Sequence, residues 1–145
     1  MTPEPGSDKV GFRVLRWVFV SAMVFRGGPV LTLDGKGRVT VPARHRDVLV
    51  ATVNGQMVLA KNPDGCLSLF PLPVWEQFEA SVLALPMEYD AWRRVYVGSA
   101  TEVEIDSASR VLIPPELRAW ACLERDVKFM GVGPNFELWD SARYD

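Results

Sequence analysis

Lys36 and Arg38 stand at the tip and the exit of a short glycine-bracketed turn, Asp34-Gly35-Lys36-Gly37-Arg38. Cations presented from so compact a turn suit phosphate oxygens and the edges of bases. Arginine offers a planar fork of donors that matches guanine O6 and N7, and a two-stranded ribbon is narrow enough to carry it into a major groove. The glycines let backbone come close to a surface. Three more arginines, Arg26, Arg44 and Arg46, are near in sequence. Residues 23–49 carry these five cations against Asp34 and Asp47, a net of +3, although the whole chain is at −2. That local field favours phosphate.

Catalytic chemistry is poorly supplied. His45, the only histidine, lies between Arg44 and Arg46 on a predicted helix. Asp47 is two residues away, and helical neighbours at that spacing do not face each other, so the imidazole lacks the partner a general base needs. It reads as an exposed or half-buried helix residue. Gly35-Lys36-Gly37 lacks the spacing and the following Ser or Thr of a phosphate-binding P-loop. One histidine and two distant cysteines, Cys66 and Cys122, give no metal-ligand spacing. Both cysteines lie in apolar stretches and read as small core residues. Glu102 and Glu104 share a strand face and read as a solvated edge. No enzyme, metal or cofactor is expected.

The turn occurs twice. The block Asp34 to Pro42 returns 72 residues later as Asp106-Ser107-Ala108-Ser109-Arg110-Val111-Leu112-Ile113-Pro114. Aspartate, arginine, valine and proline recur at the same offsets, Val41 is matched by Ile113, and Arg46 by Arg118. A half of about 50 residues buries too little apolar surface alone, so duplication predicts two intertwined halves or an oligomer. Residues 102–126 have a net of −3, and Ser107-Ala108-Ser109 replaces the glycines and lysine. In this second copy Asp106 and Arg110 are expected to pair across the turn and fix it. DNA contact is assigned to the first copy.

The elements that must position these residues follow from pattern. Alternation predicts strands at 30–33 and 38–41, joined through the turn as a hairpin-like unit. Pro42 opens a helix running to about residue 49. Strands follow at 55–59 and 66–70, with the turn 62–65 between them. Residues 74–85 have helical spacing, Pro86 breaks the pattern, and 89–97 form another helix. The second copy repeats the order, with strands at 101–105, 110–113, 126–131 and 136–139 and a helix to 121. Leu69-Phe70 corresponds to Leu138-Trp139 at a spacing of 69, which predicts a last inter-strand loop shortened by three residues. The domains are then an extension at 1–22, a first repeat at 28–75, a helical connector at 76–100 and a second repeat at 101–144.

Within the extension, Lys9, Arg13 and Arg16 precede an apolar stretch and Val20-Ser21-Ala22 imitates a cleavage site. The uninterrupted apolar run is four residues, 17–20, too short for a signal-peptide core and far too short to span a bilayer. The reading adopted is a disordered extension or a start-site artefact, with translation beginning at Met23 and no membrane partner.

Four segments together resemble the MraZ transcriptional regulators: Met23-Val24-Phe25-Arg26-Gly27, the block from Leu33 to Pro42, Leu69-Phe70-Pro71-Leu72-Pro73-Val74-Trp75, and Phe136-Glu137-Leu138-Trp139-Asp140. The resemblance extends from about Val24 to Tyr144. It implies a mainly β, α+β fold, a tandem AbrB-like (SpoVT-AbrB) swapped-hairpin barrel with pseudo-two-fold symmetry. It implies a cytoplasmic, nucleoid-associated protein that forms ring-like homo-oligomers and binds tandem direct repeats in double-stranded DNA. Members act mainly as repressors of the division and cell-wall gene cluster. The family's DNA-contacting arginine falls on Arg38, with Lys36 beside it and Arg26, Arg44 and Arg46 flanking. Asp34, Gly35, Gly37, Asp106 and Arg110 form the structural turn motif. The rival readings are a scaffold that does not bind DNA and an antitoxin-like swapped-hairpin module, the latter requiring a toxin-binding tail after Asp145.

Overall fold

The computed structural model describes residues 23–144; the extension at 1–22 and Asp145 lie outside the described residues. The first copy comprises β1 (Val30–Thr32), β2 (Arg38–Thr40), α1 (Ala43–Val53), β3 (Gln56–Lys61) and β4 (Leu67–Pro71). A connector follows, made of α2 (Leu72–Leu83), a 3-10 turn (Met87–Tyr89) and α3 (Asp90–Tyr96). The second copy comprises β5 (Thr101–Glu104), β6 (Arg110–Leu112), α4 (Pro115–Trp120), β7 (Asp126–Gly131), β8 (Phe136–Asp140) and α5 (Ser141–Tyr144).

The strands pair across the copies. A six-stranded antiparallel sheet has the order β1-β7-β8-β4-β3-β5, and β2 and β6 form a separate two-stranded ribbon. Thus β1 completes the hairpin of the second copy and β5 completes that of the first. The expected β1–β2 hairpin does not form as a ladder. The Asp34 N–H donates to the Arg38 carbonyl at 2.9 Å and closes the turn. The strands then part, β1 to β7 and β2 to β6. Burial decides this. Val39, Val41, Val111 and Ile113 are all buried in the core, and the β2–β6 ribbon is what turns all four inward together. The fold is the swapped-hairpin α+β architecture, exchanged here within one chain.

The exchange has a pseudo-two-fold axis that the register reveals. In the ribbon Val39 faces Val111, Arg38 faces Leu112 and Thr40 faces Arg110. A shift of 72 residues turns Arg38 into Arg110 and Thr40 into Leu112, so the register maps onto itself about Val39 and Val111. In the sheet, Ser68 faces Glu137 between the pairs Leu67–Leu138 and Leu69–Phe136. A shift of 69 maps that register onto itself too. The axis passes through both pairs.

The shortening is divided. Val30 faces Lys128 and Glu102 faces Val58; Val30 and Glu102 are 72 apart, whereas Val58 and Lys128 are 70 apart. Two of the three lost residues therefore fall before the third strand, where the eleven-residue α1 becomes the six-residue α4, and only one falls in the following turn. Helix α1 also runs past its expected end and stops at Asn54 and Gly55, both left-handed at φ 56° and 70°.

The core is one cluster around Leu59, Leu67, Leu69, Phe129, Phe136 and Leu138. Pro71 ends β4 and Pro73 enters the first turn of α2. Trp75 and Phe78 of α2 lie 5.2 and 5.1 Å from Phe70, and Phe78 meets Tyr96 of α3 at 4.7 Å, which fastens the connector to the sheet. Cys66 is buried, and burial pushes its thiol up to about 12. Cys122 is not a core residue: it is exposed, in the left-handed turn that ends α4.

Candidate nucleic-acid interface

The turn before β2 is built by one carboxylate. Asp34 Oδ1 accepts from the backbone N–H groups of Lys36 and Arg38, each at 2.9 Å. Its Oδ2 accepts from Arg38 Nε at 2.7 Å. The Arg38 amide above all, with its guanidinium and the Lys36 amide, holds the Asp34 carboxyl down at about 2. Arg38 is thereby pinned through Nε. Its two Nη groups make no hydrogen bond among the described residues and stay available for a fork-like contact. Lys36 is exposed at the tip.

Gly37 is the glycine the geometry demands. Its φ is +84°, and a Cβ there would lie 2.4 Å from Arg118 Cζ. Arg118 donates Nε to the Ile113 carbonyl at 2.9 Å and so lies behind the first-copy turn as a brace from the second copy. Gly35, by contrast, faces open space and has no left-handed φ. The second turn repeats the build without glycine. Asp106 Oδ1 accepts from the Ala108 and Arg110 amides at 2.9 and 2.8 Å, and Oδ2 from Arg110 Nε at 3.2 Å. Ser109 takes the position of Gly37 at φ 66°. The Arg110 amide, with the rest of that set, lowers the Asp106 pKa. The aspartate–arginine pair expected for the second copy is thus present in both.

The ribbon brings the two arginines together. Val39 and Val111 point inward with no exposed surface, so Arg38, Thr40, Arg110 and Leu112 share the outer face. Arg110 Nη1 comes within 3.8 Å of Asp34 Oδ2, joining the copies at this face.

The other predicted cations are elsewhere. Residues 25–33 run antiparallel to 125–133, from the Phe25–Gly133 bridge to the hydrogen bond of Leu33 to Arg125. Arg26 therefore lies about 25 Å along the strand from the turn. Arg44 goes with it, donating Nη2 to the Arg26 carbonyl at 2.7 Å. Arg46 is half-buried, pairs with Asp47 at 3.3 Å, and its Nε is buried with no partner among the described residues. Sequence reasoning missed the brace by Arg118; the signal available was its match to Arg46.

His45 is neither exposed nor half-buried. It is 7% exposed, with its ring 5.5 Å from Phe25 and 5.1 Å from Phe136. Burial, then the Arg44 charge, lowers its pKa, and its Nε2 has no partner among the described residues. Glu102 and Glu104 are exposed on β5, an outer strand of the sheet, as expected. Among the described residues no cluster of three or more His, Cys, Asp or Glu side chains is arranged to hold a metal. None of their helices is long and apolar enough to cross a membrane.

Residues 24–96 and 96–145 each match the family described as "MraZ protein, putative antitoxin-like". The chain is 54% identical over 121 residues to the transcriptional regulator MraZ of Ralstonia pickettii, covering 83% of this chain and 85% of that one. It is 57% identical over 119 residues to the protein of that name from Leptothrix cholodnii, covering 82% of each. With its namesake from Methylibium petroleiphilum it shares 52% identity over 125 residues and 86% of each chain.

Proposed function

This chain belongs to the MraZ family, and we propose that it is a sequence-specific DNA-binding transcriptional regulator that works by binding and not by catalysis. Its relatives carry the name of transcriptional regulators. The observation that carries the reading is Arg38 held at 2.7 Å by Asp34 on a rigid, solvent-facing ribbon, with Lys36 exposed beside it. Arg38 reads a guanine edge and Lys36 meets phosphate.

Arg46, half-buried on the adjoining helix and paired with Asp47, adds positive field and makes no direct contact. Arg26 and Arg44 are a second basic locus at the far end of β1. One ribbon makes few phosphate contacts and binds weakly. A ring-like homo-oligomer that presents several ribbons to tandem direct repeats gains affinity by effective concentration, which lets a chain of net charge −2 hold DNA. The protein then acts in the cytoplasm, at the nucleoid, mainly as a repressor of the division and cell-wall gene cluster. The two repeats at 28–75 and 101–144 form the body, the connector at 76–100 joins them, and the acidic second repeat serves packing and subunit contacts.

The test is a footprint of the purified protein on the DNA upstream of its own gene, wild type beside Arg38→Ala. Protection of evenly spaced repeats by the wild type, lost in the variant with the oligomer intact, is the expected result. Equal protection by both proteins would remove Arg38 from the site.

A further inference from the structure

Two surfaces away from the ribbon are opposite in charge. One is the corner where the ladder of β1 ends against α1. Arg44 is tied to the Arg26 carbonyl there, and the two arginines rim a cavity of about 340 Å³ that Val24 and Val48 also line. Both valines are exposed. The other is a cleft of about 440 Å³ between α2 and β5, walled by Glu76, Glu79 and Glu102 over Leu72, Trp75 and Val97. Among the described residues, none of these five charged groups has an ion-pair partner.

Their placement explains why the charges stay unpaired. The corner continues the edge of β1 and the cleft lies along β5, the two outer strands of the sheet. A surface and its complement on different edges of one body describe a heterologous contact, which repeats from copy to copy and builds a ring when the rotation between neighbours closes. We propose that copies of this chain join head to tail, the Arg26–Arg44 corner of one seated in the Glu76–Glu79–Glu102 cleft of the next. This rests on the reading above that the protein acts as an oligomer, and it names the faces that meet. Arg44 is held by backbone before any partner arrives, so it loses little rotamer freedom on docking. Its remaining donors match a carboxylate as a fork. The exposed valines beside it meet the apolar floor of the cleft. The corner is thereby occupied by protein, and DNA is left to the ribbon.

The test is native mass spectrometry of the full chain at low salt, with circular dichroism to verify each fold. Arg44→Glu and Glu79→Arg should each reduce the assembly to single chains. Mixed in equal amounts, the two variants should reassemble as alternating copies, and the double reversal in one chain should reassemble alone. A wild type that is monomeric would overturn the oligomer reading and this contact with it. An assembled wild type whose single reversals also stay assembled would overturn this contact alone. Single reversals that dissociate without rescue would overturn it as well. So would Arg44→Glu that keeps the oligomer and loses DNA, which would put the corner on phosphate.

Discussion

Val39 lies directly opposite Val111 in the ribbon, and neither side chain has exposed surface. The pair sits on the pseudo-two-fold axis, so each copy packs its own valine against the other's. Since β1 completes the second hairpin and β5 the first, neither copy has a whole sheet alone.

Unfolding should therefore be one transition. Val39→Ala and Val111→Ala remove the same atoms from one layer and should cost alike, about 2 kcal/mol each. Hydrogen exchange followed through a denaturant series should give one midpoint for both copies. A second copy that stays protected while the first has opened would contradict this.

The two turns predict substitutions of opposite sign. Gly37→Ala meets both a left-handed φ and the Arg118 guanidinium, and should destabilise by more than about 1 kcal/mol. Ser109→Gly relieves a left-handed serine and should stabilise by up to about 1 kcal/mol, less the entropy glycine adds to the unfolded chain. Thermal melts of the pair decide it; shifts of the same sign would show that the turns are not equivalent.

The duplicated turn was legible because Asp34, Arg38, Asp106 and Arg110 keep one spacing, and a carboxylate that accepts from its own turn requires that spacing. The partner of each strand was not legible from local pattern. Alternation tells which side of β2 is apolar, but whether β2 pairs with β1 or with β6 depends on where three valines and one isoleucine are buried together. The same limit applies to the site. Lys36 and Arg38 could be grouped from the sequence because one turn holds them. Arg26 is only eight residues from Asp34, yet an extended strand carries it far away. His45 was misread because its burial comes from Phe25 and Phe136, neither of them on its helix.

His45 has a built-in control. Its counterpart 72 residues on is Leu117, also buried. Its pKa is lowered in the fold from an ordinary 6.5, so protons favour the unfolded chain, and stability falls as pH drops below about 6.5. His45→Leu should flatten that decline and remove a buried atom without a partner, a gain of about 1 kcal/mol. Melting temperatures between pH 8 and pH 5, taken for both proteins, give the answer. Parallel curves would clear His45 of any role in the acid response.

Asp34 and Asp106 act in a lower window. A carboxyl held down near 2 in the fold and near 3.8 when unfolded stabilises its turn fully above about pH 4. That stabilisation is lost as pH falls toward 2, and Asp106 shifts in the same direction. The amide resonances of Lys36 and Ala108 should hold steady from pH 6 to 4 and move only below. Asp34→Asn should abolish the movement at Lys36 and leave that at Ala108.

The Asp34–Arg38 pair also predicts how binding fails. If Asp34 aims Arg38 at a base, Arg38→Ala should cost roughly 1–3 kcal/mol on the cognate repeat and little on unrelated DNA. Arg38→Lys should not rescue it, because a lysine lacks the fork. Lys36→Ala should weaken both DNAs together and lower the salt dependence by about one phosphate contact. Asp34→Asn keeps the arginine but loosens its aim, so discrimination between the two DNAs should fall more than affinity does. Anisotropy titrations over a range of salt, on cognate and scrambled repeats, separate these outcomes. Arg38→Ala that lost equal affinity on both DNAs would make Arg38 a phosphate contact, and base reading would have to come from elsewhere on the ribbon, where Arg110 is the nearest cation.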